Sequence, residues 1–108
     1  MPAYRVGTFV EDDLFEIWRN IATQSEAAAD RVERTIIATF AALAATPGQG
    51  HWRKDLSETL RFWAVWEYLI VYRAEPLPIV IVAVLHGRRN PDSLVQMHYH
   101  RRRIEEHE

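Results

Sequence analysis

LRFWAVWEYLIVYRAEPLPIVIVAVL, Leu60–Leu85, is the stretch on which the fold turns. Its first fourteen residues, Leu60–Arg73, are dense in aromatic and β-branched side chains, the types that suit a pleated surface. That exceeds an ordinary strand of about five or six residues, so the run divides near Trp66-Glu67 into the two arms of a hairpin. No Asn-Gly or Asp-Gly marks the corner. Glu75-Pro76-Leu77-Pro78 is a turn, because neither proline can donate to a ladder. Ile79–Leu85 (IVIVAVL) is apolar at both parities, the pattern of a central strand buried on two faces.

Upstream of this block the apolar period is helical. Leu14, Ile17, Trp18 and Ile21 make one stripe at i, i+3, i+4 and i+7. Thr8 and Glu11 fit a capping box at its start, and Glu11, Asp12 and Asp13 suit the helix dipole. The helix ends near Ala22 or Thr23. Ser25 is the expected N-cap of a second, alanine-rich helix with Ala29, Val32, Ile36, Phe40 and Leu43 on its apolar face, ending before Pro47-Gly48. The short gap between the helices makes an antiparallel helical hairpin, with Glu16, Arg19, Asp30, Glu33 and Arg34 on its solvated side. Ala3–Phe9 reads as a first strand, and Thr46–Glu58 as a loop or short helical turn. Pro91 and Asp92 open a third helix through Leu94, Val95 and His98. The order is β-α-α-β-β-β with a helical C-terminal tail: an α+β domain whose helical hairpin packs on a small, mostly antiparallel sheet.

Composition narrows the chemistry. The chain has 108 residues, suited to a single domain with one core. Its lack of cysteine excludes disulfides, thiolate metal sites and cysteine nucleophiles. The longest nearly apolar run, Pro76–Leu85, is half of a membrane span, and the N-terminus lacks a signal-peptide h-region. A cytoplasmic protein that does not engage membranes is expected. The net charge of −2 is uneven. Residues 1–45 hold four arginines and seven acids, whereas 86–103 hold five arginines and one acid. A basic surface at the sheet edge would suit a phosphate or an acidic protein, or is simply a set of solvated strand ends.

The candidate chemical groups lie on or near that surface. His86 ends the last strand beside Arg88 and Arg89, and is either a general acid–base group or a residue that pins the turn by hydrogen bonding. His98 and His100 diverge on a helix, so no metal site is expected. Gly48 and Gly50 make no phosphate loop, and no serine sits in a nucleophile elbow. Asp55, Glu58 and Glu67 read as surface partners of arginine. Trp18, Trp63 and Trp66 read as core, while Trp52, in the irregular loop, reads as an interface anchor.

Several strings, in this order, resemble the RelE/ParE toxin superfamily of type II toxin–antitoxin systems, and its ParE branch in particular. They are DLFEIWRNIA (Asp13–Ala22), AADRVERTI (Ala28–Ile36), the stretch closing on Pro47 and Gly50, RKDL (Arg53–Leu56), LRFWAV and YLIVYR (Leu60–Arg73), and PIVIVAVLHGRRN (Pro78–Asn90). The resemblance implies one toxin domain over residues 1–92, with 93–108 as a charged tail outside the family pattern. It implies a plasmid-stabilisation type of toxin without a cofactor. The expected partner is a ParD-like ribbon–helix–helix antitoxin that folds onto Leu14, Ile17, Trp18, Ile36, Phe40 and Trp52, with the toxin a homodimer or half of a toxin–antitoxin heterotetramer. For ParE-like members it implies inhibition of DNA gyrase with no catalytic residue, the target contacts falling on Lys54, Arg61, Arg73, His86, Arg88 and Arg89. For RelE-like members it implies ribosome-dependent mRNA cleavage, for which Arg61, Arg73, His86 and Arg88 are the available groups. A third expectation is a degenerate toxin that retains only antitoxin binding.

Overall fold

The computed structural model describes residues 3–52 and 57–86. Strand β1 (Tyr4–Val6) leads into helices α1 (Val10–Ala22) and α2 (Glu26–Ala45). Next come a 3-10 turn (Pro47–Gln49) and a two-residue strand β2 (His51–Trp52), then β3 (Leu60–Val65), β4 (Tyr68–Arg73) and β5 (Ile79–His86). The sheet order is β1-β5-β4-β3-β2. All neighbours are antiparallel except β1 and β5, which run parallel. The α+β architecture and the division of Leu60–Arg73 are therefore as the sequence indicates. Trp66 and Glu67 are the two turn residues, and Trp66 supplies the positive φ (53°) that such a tight turn needs in place of Asn or Gly.

Three local readings change. The first strand is only Tyr4–Val6, because the chain bends at Gly7, whose amide still reaches the Ile81 carbonyl at 2.8 Å. Helix α1 starts one residue later than a Thr8 cap would place it. Phe9 holds the cap position with helical dihedrals (φ −95°, ψ −5°) in place of a hydroxyl cap, while the Val10 amide bonds back to Gly7 at 3.2 Å. The irregular stretch after Pro47 contributes β2, too short for periodicity to reveal. The expected third helix and tail lie outside the described residues. Ser25 does cap α2, its Oγ accepting from the Ala28 amide at 3.1 Å.

Both faces of the sheet are apolar. On the helix side, Val10, Ile17, Ile36, Phe40 and Leu43 pack against Tyr68, Ile70, Tyr72, Ile79, Ile81 and Val84. The opposite face gathers Leu60, Phe62, Val71, Ala83 and Leu85. Strand β5 serves both because successive side chains alternate between the faces, and it is also bulged. Val71 lies opposite Ala83 but Tyr72 opposite Ile81, which leaves Val82 as the extra residue and switches the parity of Ala83–His86 relative to Ile79–Ile81. Alternation between two apolar faces is why IVIVAVL is apolar at every position, and the bulge decides which of its residues face which way.

Candidate functional site

The register assigns each cationic candidate to a face. Arg61 lies in one cross-strand row with Trp52, Tyr72, Ile81 and Val6. Tyr72 and Ile81 are core residues of the helix side, so Arg61 belongs to that side. Arg73 adjoins Tyr72 in β4 and therefore belongs to the opposite side, where it lies in a row with Leu60, Val80 and Arg5. His86 is on the helix side, in the row of Val65 and Tyr68, four residues along from the Arg61 row. That separation is about 13 Å along the strands. The expected Arg61–Arg73–His86 grouping is not assembled. Two of its members share a face but not a neighbourhood, and the third is across the sheet. Lys54, Arg88 and Arg89 lie outside the described residues.

Arg61 is held by the loop before β2. Its Nη1 donates to the Gly50 carbonyl at 3.0 Å and to the Gly48 carbonyl at 3.4 Å. Its guanidinium lies 5.3 Å from the Trp52 ring centroid, a cation–π contact. Trp52 in turn donates from its indole to the Ser57 carbonyl at 3.2 Å. Beneath them the fully buried Tyr72 donates its hydroxyl to the Pro47 carbonyl at 2.7 Å and accepts from the Gly50 amide at 2.9 Å. A Cβ on Gly50 would meet the Tyr72 Oη at 2.6 Å, so close packing, not backbone conformation, requires glycine there. Burial raises the Tyr72 phenol above its usual value, against the lowering effects of the Gly50 amide and the Arg61 charge.

At the other end of the helix side, His86 lies over Tyr68, with ring centroids 5.1 Å apart. Its Nε2 is 3.4 Å from Glu67 Oε2. Both side chains are more than half exposed, so the contact is a solvated one. Burial, then the Glu67 charge, raises the Tyr68 phenol. Arg73 holds the one buried side-chain polar atom without a hydrogen-bond partner among the described residues, its Nε. Among these residues no cluster of metal-ligating side chains occurs.

The helical hairpin offers less apolar surface than its stripes suggest. Ile17, Ile36 and Phe40, expected to contact an antitoxin, are core residues at 5%, 0% and 1% exposure. Leu14 is half-buried against the same core, and Trp18 is half-buried with its indole bonded to Asp30 of α2 at 2.8 Å. Trp52 is exposed. The large apolar residues that the hairpin does expose are Phe15 and Ile37, which fall just off the stripes and so escape a periodicity search. Trp66, read as core from its neighbours, is 62% exposed.

The helical hairpin covers one face of a five-stranded, mostly antiparallel sheet, an α+β architecture. Residues 8–91 match the family model of the ParE toxin of type II toxin–antitoxin system, parDE, and the chain belongs to that family. The chromosomal ParDE TA system from P. aeruginosa contains a chain of the same fold. The two superpose with a TM-score of 0.70 at 16% sequence identity, over 82% of this chain and 98% of that one. No curated protein matches the sequence. Among the described residues no helix is long and apolar enough to cross a membrane.

Proposed function

We propose that this ParE-family toxin acts in the cytoplasm by binding and poisoning DNA gyrase, without catalysis of its own, and is silenced by a ParD-like ribbon–helix–helix antitoxin. The observation that carries this reading over ribonuclease action is the dispersal, among the described residues, of Arg61, Arg73 and His86. Phosphodiester cleavage needs a base, a phosphorane stabiliser and an acid around one phosphate. Here Arg61 is engaged by two loop carbonyls, Arg73 faces away from it, and His86 stands about 13 Å along the sheet. A binding protein needs no such convergence. Exposed Phe15 and Ile37 on the hairpin and Trp52 beside β3 supply apolar contacts for an antitoxin segment that folds on binding.

The deciding experiment pairs two assays of the purified chain. Gyrase supercoiling should be inhibited in a dose-dependent way, and ribosome-bound mRNA should remain intact. Cleaved mRNA with supercoiling untouched would replace this reading by the ribonuclease one. Absence of both effects, with a cognate antitoxin still bound, would mark a degenerate toxin.

A further inference from the structure

Trp66 is placed where the fold gains least from it. It sits at the first turn position of the β3–β4 hairpin with φ 53°, in the left-handed region where a bulky residue is an outlier and Gly, Asn or Asp is at ease. Its indole recovers little through burial, since the residue is 62% exposed. Local backbone preference therefore disfavours tryptophan at this position, and burial offsets little of that cost. Residues kept in such conformations concentrate at functional positions.

We propose that Trp66 is an anchor for a folded protein partner, inserting its indole into an apolar pocket rimmed by a cationic group. Tryptophan is the residue most enriched among binding hot spots, because one rigid ring brings a large contact area. The cationic rim follows from Glu67, whose carboxylate adjoins the anchor, is 67% exposed and meets His86 only at 3.4 Å. A protruding ring on a tight hairpin needs a preformed concavity. A disordered segment that folds onto this chain brings ridges rather than holes, so the partner is the toxin's target and not its antitoxin. The inference rests on the toxin reading above and adds to it the residue through which the target is engaged.

The test compares wild type, Trp66→Asn, Trp66→Phe and Glu67→Lys by growth arrest on induction in a bacterial host, and by thermal unfolding of the purified proteins. Asparagine tolerates the left-handed backbone, so Trp66→Asn should melt roughly 3–6 °C higher while its growth arrest weakens at least about tenfold. Trp66→Phe should retain most of the arrest, and Glu67→Lys should weaken it. An arresting wild type with an equally arresting Trp66→Asn overturns the anchor and leaves the toxin reading standing. A wild type that does not arrest growth overturns both. A lower melting temperature for Trp66→Asn removes the basis in strain. Arrest by Glu67→Lys at the wild-type level or above overturns the cationic rim.

Discussion

The Tyr72 hydroxyl lies between two groups of the loop before β2, donating to Pro47 and accepting from Gly50. Tyr72→Phe therefore strands a buried amide and a carbonyl together, and should lower stability by about 1–3 kcal/mol in urea denaturation. The same phenol sets a pH dependence. Its folded-state pKa is raised above 10.0, chiefly by burial, and that of Tyr68 is raised by burial and the Glu67 charge. As pH rises the unfolded chain releases these protons first. Their contribution to stability is thus complete below about pH 10 and is lost as pH climbs through the folded values. Tyr72→Phe should make the alkaline decline shallower; an unchanged decline would exclude Tyr72 as a source. Gly50→Ala should cost about 1–3 kcal/mol through overpacking against the Tyr72 ring. None of this was legible in the sequence. A tyrosine in an apolar run reads as core, which Tyr72 is, but its hydrogen bonds depend on a loop far back along the chain, at Pro47 and Gly50.

Among the elements, α1 and β5 are joined by a contact that no periodicity implies. Strand β1 ends opposite Ile81, and β5 runs on beyond it to His86. Asp13, in the first turn of α1, accepts from the Val84 amide at 3.1 Å and there takes the place of a strand. The sequence shows Asp13 only as one of three acids suited to a helix dipole, because the bulge at Val82 that presents this amide is a property of the pairing. Asp13→Ala should destabilise by about 1–3 kcal/mol, well beyond Asp12→Ala in the same turn. Equal losses in chemical denaturation would show that only the dipole matters. The helical hairpin, by contrast, was readable almost to the residue. Its stripes, its Ser25 cap and its stop at Pro47 are all local signals.

For the whole molecule, the division into acidic and basic stretches was legible from charge counts, but the grouping of the cations was not. Arg61 and Arg73 look equivalent on two strands of one hairpin. They separate because Arg61 pairs with Tyr72, the immediate neighbour of Arg73, and adjacent residues of a strand face opposite ways. Register, not composition, sets Arg61 and Arg73 on opposite faces. The same alternation builds a sheet with apolar residues on both faces, and β5 belongs to both clusters. Because one backbone carries both, the two faces should unfold together. Ile81 serves the helix side and Leu85 the other, and their β4 partners Tyr72 and Leu69 stand three residues, about 10 Å, apart along the ladder. At that distance substitutions act independently. Ile81→Val should cost about 0.5–1.5 kcal/mol and Leu85→Ala about 2–5 kcal/mol, and the double variant should lose their sum to within about 0.5 kcal/mol. Helical circular dichroism and the side-chain NMR signals of Val71 and Ala83, on the second face, should trace one coincident transition in every variant. Early loss of the Val71 and Ala83 side-chain signals in Leu85→Ala with the helices still folded would mean that the second face is a separate unit, and that β5 does not couple the two.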